Sequence, residues 1–146
     1  MSIIKNIIAG FAGSLALTAL NEGLKKSGYD VPRVDLLGEE ALNKGLSHFD
    51  AEIKSEDALF NTTLVSDLVS NAVYYSLIGS GDKKNILSKT LGLGLLAGVG
   101  AITVPKHVGL NPQPVTKNQQ VKLLTVGYYL FGAIVTGSIL ALSNKK

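Results

Sequence analysis

Apolar residues in this chain are gathered into long blocks, with one polar insert after the first block. Ile3 to Leu20 is apolar apart from Lys5 and Asn6, and helical register continues to about Lys26. At about 1.5 Å rise per residue, roughly 20 residues make one bilayer crossing. Small residues recur four apart within it (Ala9 and Gly13, Gly10 and Ser14, Ala12 and Ala16), a spacing that lets helix backbones approach closely in lipid. Asn21, Glu22, Lys25 and Lys26 follow, the lysines placed to snorkel to the interface, and Ser27-Gly28 ends the helix.

Residues 29–54 form the polar insert. Val31-Pro32 is expected to be extended, because a residue before proline disfavours the helical region. Asp35 then reads as an N-cap, with Glu39 and Glu40 in the first turns where the helix dipole favours negative charge. Leu37, Ala41, Leu42, Gly45, Leu46, Phe49 and Ile53 recur at helical spacing. An amphipathic helix over about 35–54 follows, too charged to span and suited to lie on the membrane or over the ends of the spans.

Ser55 is a good N-cap, with Glu56 and Asp57 in the first turn. The helix it opens runs to Ile78 and stops at Gly79-Ser80-Gly81, with Asp67 near its middle. The next apolar block carries Gly92, Gly94, Gly98 and Gly100, and Pro105 is expected to end it. Gly94 and Gly98 form a GxxxG pattern and mark a helix-packing face. Lys106 to Pro114 reads as an irregular loop. Thr116 is expected to cap the last helix, whose segment Leu123–Leu142 has no charge. The fold expected is all-α: a single integral membrane domain over 1–146, a four-span transmembrane bundle with one amphipathic helix in the first connecting loop. The spans fall at about 3–26, 56–79, 85–104 and 117–142.

Composition sharpens this picture. Charged residues are 17% of the chain against about 25% in typical soluble domains. Eight of the 11 acids lie between residues 28 and 57, so the rest is strongly apolar. The net charge of +3 comes from lysines scattered along the chain with one arginine, Arg33. No basic face forms, and nucleic-acid binding is not expected. Without cysteine there is no disulfide framework and no thiolate site. The N-terminal block reads as a retained signal anchor. Four spans put both termini on one side. That side carries six Lys or Arg and the other eight, a small margin for termini outside. The compact Lys83-Lys84 turn and the Lys145-Lys146 tail argue for the cytoplasm. The expectation is a bacterial inner-membrane protein with cytoplasmic termini.

Candidate chemistry is sparse. Motifs for a serine nucleophile, a zinc helix or a phosphate loop are absent. Gly92-Leu-Gly94-Leu-Leu-Ala97 fits a loose dinucleotide fingerprint, but inside an apolar helix with no preceding strand it has the wrong context. His48 and His107 have no second ligand at metal spacing, and neither metal nor cofactor is expected. Topology brings Glu22, Asp67, Asn71, His107 and Tyr128 to one half of the membrane. Asp67, Asn71 and Tyr74, at i, i+4 and i+7, share a helix face. An ionised Asp at the bilayer centre costs about 2.5–3.5 kcal/mol and so belongs in the bundle interior with a partner. These six residues form the candidate polar intramembrane site, with interhelical polar contact as the alternative account. Glu22, beside lysines, is expected in an interfacial salt bridge.

Three functions fit. The first is a non-enzymatic protein acting by helix packing, as a homo-oligomer or accessory subunit among lipids and other membrane subunits. The second is an ion, proton or small-solute channel or carrier using Asp67, Asn71 and Glu22. The third is a lipid-binding protein or intramembrane enzyme with a polar site on the side of the amphipathic helix.

Overall fold

A computed structural model describes residues 2–145. It is helical, with no strand among the described residues. The elements are α1 (Ile3–Leu24), α2 (Val34–Ser47), α3 (Glu56–Ser76), α4 (Ile86–His107), the single turn α5 (Gln113–Thr116) and α6 (Gln119–Ser143), with 3-10 turns at Leu77–Gly79 and Lys83–Asn85. The long helices pack in the order α3, α1, α6, α4, each against the next. Neighbours run antiparallel: Gly10 of α1 meets Ala72 of α3, Gly13 meets Gly132 of α6, and Gly98 of α4 meets Val126 of α6. One end of the bundle therefore collects α2, α5 and the starts of α3 and α6.

Inward faces are small or hydroxylated. The buried stripe of α1 is Asn6, Ala9, Gly10, Gly13, Ser14, Leu17 and Asn21, while Ile3, Ile4, Ile7, Ile8 and Phe11 point outward, Ile3 at 74% exposure. Such a helix is inverted relative to one in a water-soluble protein. Three of the buried hydroxyls spend their hydrogen bonds on backbone. Ser14 donates to the Leu68 carbonyl across the α1–α3 interface (2.8 Å), Thr125 to Val121 (2.8 Å) and Thr136 to Gly132 (3.1 Å). At the far end of α3, the Tyr74 hydroxyl donates to Leu93 of α4 and that of Tyr75 to Tyr129 of α6, both at 2.7 Å. These bonds tie the α1–α3 hairpin to the other half of the bundle.

Three helices are long and apolar enough to cross a membrane: α1, α4 with its leading turn (Lys83–His107), and α6. The second expected span, α3, is not among them, because Glu56, Asp57, Asn61, Thr62, Thr63, Ser66, Asp67, Ser70 and Asn71 dilute its apolar content.

Several boundaries also move. Helix α2 ends at Ser47 rather than near residue 54; Asp50, at φ 56°, stands in the left-handed region just beyond it. Asp35 lies inside the first turn, and Arg33 occupies the cap position. Pro105 does not end α4, which continues to His107. Thr116 belongs to α5, and the cap of α6 is Asn118, whose side chain accepts from the Val121 amide at 2.9 Å. Ser55 caps α3 as expected, accepting from the Ala58 amide at 3.3 Å.

Gly94 and Gly98 face α6 within the chain. A Cβ on Gly94 would lie 2.8 Å from that of Ala133, and one on Gly98 would lie 2.7 Å from the Val126 Cα. Val126 meets that position with backbone, which no rotamer change can withdraw. At Gly100 nothing beyond its own stretch of helix lies within 4 Å of the added carbon among the described residues. Gly98→Leu should therefore destabilise the detergent-purified protein by about 1–3 kcal/mol, and Gly100→Leu should leave it near wild type. Paired thermal melts of the two variants check this.

Candidate functional site

The last turns of α1 carry Thr18, Asn21 and Glu22, with Lys25 at its C-cap, and the facing stretch of α3 carries Phe60, Thr63, Asp67 and Asn71. Thr63, Asp67 and Asn71 fall at i, i+4 and i+8, which aligns them on one helix face. Helix α2 folds back over the gap. It comes this close because residue 38 is glycine: a Cβ there would lie 2.8 Å from both Asp67 Oδ2 and Thr63 Cγ2. Between the three helices is a cavity of about 20 Å³, lined by Asn21, Glu22, Asp35, Thr63, Asp67 and Asn71 among others. That volume accommodates one water-sized species.

Asp35 is bonded at both of its oxygens. Arg33 makes a two-pronged contact with Asp35, Nε to Oδ1 at 3.1 Å and Nη2 to Oδ2 at 2.8 Å. Asn21 donates to Asp35 Oδ1 at 3.3 Å, and its own oxygen accepts from the Val34 amide at 3.3 Å. Lys25 lies 2.5 Å from Glu22 Oε2 and 3.6 Å from Asp35 Oδ2, with its ammonium 4.7 Å from the centroid of the Phe60 ring. Burial pushes the Asp35 carboxyl up. The hydrogen bonds from Arg33 and Asn21 and the charges of Arg33 and Lys25 outweigh it and hold Asp35 below its ordinary value. Glu39, a turn further along α2, is pushed up by burial and by the Asp35 charge.

Other groups around the cavity are left unpaired. Thr63 is 3% exposed, and its hydroxyl has no partner among the described residues, nor has the buried Glu22 Oε1. Asp67, half-buried, forms no ion pair among the described residues. It stands within electrostatic range of Asp35, a like charge.

Of the six residues expected at a polar site, Glu22, Asp67 and Asn71 line this cavity. Tyr74 is turned away to the Leu93 carbonyl of α4. His107 ends α4 beside Thr103, Lys106, Pro112, Thr116 and Lys122. Tyr128 is packed in the core, with its hydroxyl unpaired among the described residues. The expected salt bridge of Glu22 with a neighbouring lysine is present at Lys25. Sequence reasoning missed Asn21, Asp35 and Thr63. Asn21 continues the small-residue stripe of α1, and Thr63 precedes Asp67 by one turn, so both carried a periodic signal. Asp35 was hidden by its resemblance to a cap.

Comparison with protein-family models, with curated proteins and with solved structures finds no match to this chain.

Because Asp35 is held below its ordinary value, it stabilises the fold at pH above about 4, where the unfolded carboxyl is also ionised. That contribution is lost as pH falls through the lower folded value. Thermal stability in detergent should drop on acidification below about pH 4. Asp35→Asn should remove that part of the acid dependence. It should also cost about 2–3 kcal/mol at neutral pH, by leaving Arg33 and Lys25 without their shared anion. Melting curves of both proteins from pH 3 to 7 test the pair of outcomes.

Proposed function

We propose that this chain is a four-span integral membrane protein that binds a proton or small cation in the chamber between α1, α2 and α3 and carries it across the bilayer. The observation that supports it most is the meeting of Glu22, Asp67 and Asn71 in one small cavity where acceptor groups outnumber donors. A carboxylate with no cation of its own is costly in a low-dielectric setting and is relieved by taking up positive charge. The cavity holds about one water-sized species, which suits stepwise exchange better than an open pore.

Helix α3 is proposed as the fourth span on the strength of its outward stripe. Val65, Val69, Val73 and Leu77 recur every four residues and are 59%, 57%, 61% and 48% exposed, a face suited to lipid. On this reading α2 lies at the membrane surface, closing the chamber from the water. The compact Lys83-Lys84 turn supports placing that end of the bundle, with both termini, in the cytoplasm of a bacterial inner membrane.

A second reading, assembly with another membrane subunit or a second copy, is favoured by the outer face of α4. At Gly92 and Gly100 nothing beyond their own stretch of helix lies within 4 Å of an added Cβ among the described residues, and Leu96, between them, is 64% exposed.

Reconstituted into vesicles holding a pH-sensitive dye, the wild type should dissipate an imposed proton or cation gradient faster than empty vesicles. Asp67→Asn should fall to the empty-vesicle rate while melting as a folded protein. Wild-type flux equal to that of empty vesicles would overturn the carrier reading and leave assembly as the better account.

A further inference from the structure

Two buried oxygens at the chamber have no partner among the described residues. Thr63, one of the residues lining the cavity, is buried at 3% exposure, and neither its hydroxyl oxygen nor Glu22 Oε1 has a partner among the described residues. A hydroxyl can donate or accept, but the neighbouring carboxylates only accept when ionised. A ligand that donates hydrogen bonds would satisfy both buried oxygens and an ionised Asp67 with them.

Charge gives its sign. Among the cavity-lining residues and their ion-pair partners, the three carboxylates of Glu22, Asp35 and Asp67 face two cations, Lys25 and Arg33. One negative charge is left over, and by elimination it belongs to Asp67, since the other two carboxylates are paired. Size gives its scale, about one water molecule.

Lys25 shows the chemistry the chamber accepts. Its ammonium sits beside Glu22, near Asp35 and 4.7 Å from the centroid of the Phe60 ring, with the side chain only 15% exposed. Carboxylates together with an aromatic face are a recognition set for ammonium groups. Among the described residues no group of three His, Cys, Asp or Glu is placed to share a metal ion. Scattered single acceptors suit a cation that carries its own protons.

We infer that the chamber binds the ammonium ion, with Asp67 as its counter-ion and with Glu22 Oε1 and the Thr63 hydroxyl as hydrogen-bond acceptors. Lys25 holds the adjoining position as a tethered ammonium of the same kind. This rests on reading the chamber as a cation site, and it names the class of cation.

The test is the melting temperature of the full chain in detergent at constant ionic strength, in ammonium, sodium or N-methylglucamine chloride. At about 100 mM, ammonium should raise the wild-type midpoint by about 2 °C or more over both other salts. Asp67→Asn should lose that increment. Lys25→Met, which vacates the tethered position, should melt lower than wild type and regain part of the loss in ammonium or methylammonium chloride but not in N-methylglucamine chloride. If Asp67→Asn does not fold, the Lys25→Met comparison decides. Equal midpoints in all salts, for both wild type and Lys25→Met, would overturn the inference. An equal response to sodium and ammonium would overturn the ammonium assignment. Should vesicle flux depend on Asp67 while ammonium gives no shift, the carrier reading stands and the ligand class falls. An ammonium shift without flux reverses that outcome.

Discussion

Close approach of helix backbones is the constraint on which this structure depends. At each of the three main interfaces one helix offers a residue with almost no side chain: Gly10 against Ala72, Gly13 against Gly132, and Gly94 and Gly98 against α6. Contact energy there comes from backbone and hydroxyl groups in van der Waals range; many large apolar side chains are turned outward, while Leu17, Tyr75, Ile78, Tyr128 and Leu140 stay in the core. In water those outward residues would drive collapse or aggregation. In lipid they cost nothing, and the small inward faces supply the preference of helix for helix. The same chain is therefore a reasonable fold in one solvent and a poor one in the other.

The polar chamber sits where that packing rule changes. Along α1 the inward stripe runs from glycine and serine to Asn21, with Glu22 beside it. The separation this creates from α3 is filled by α2. Asp35 holds the filling in place through Arg33, Asn21 and Lys25, and Gly38 lets it settle against Asp67. A buried knot of this kind contributes little net stability compared with apolar packing, but breaking one member is costly. Its clearer effect is positional, since it fixes where α2 lies.

Much of the architecture was legible in the sequence because membrane helices announce themselves by length and uniformity. α1, α4 and α6 follow their apolar blocks to within a few residues. α3 was harder, since its inward face is polar enough to lower its average while its outward valines remain evenly spaced. Ends were misread where two signals compete. Pro105 removes the amide that would bond the carbonyl of Ala101, yet the helix carries on for two more residues. Thr116 and Asn118 are both plausible caps, and only Asn118 has the extended backbone a cap needs. At the site, Asp67 with Asn71 and Glu22 was readable from helical spacing and topology. Tyr74 was not, because i+7 departs from the i+4 and i+8 direction by enough to point at a different neighbour. Asp35 was not, because nothing local reveals that the first connection folds inward.

Helix α2 also has a far side. The Arg33 amide donates to the Pro114 carbonyl at 2.9 Å, Glu40 accepts from the Asn111 amide at 3.0 Å, and Lys44 donates to the Gly109 carbonyl at 3.1 Å. All three partners lie in the connection between α4 and α6. In the order of synthesis, α1, α2 and α3 emerge well before that connection exists. The roof of the chamber is then fastened only once the connection between α4 and α6 has been made, so a carboxylate placed early in the chain acquires its finished surroundings last.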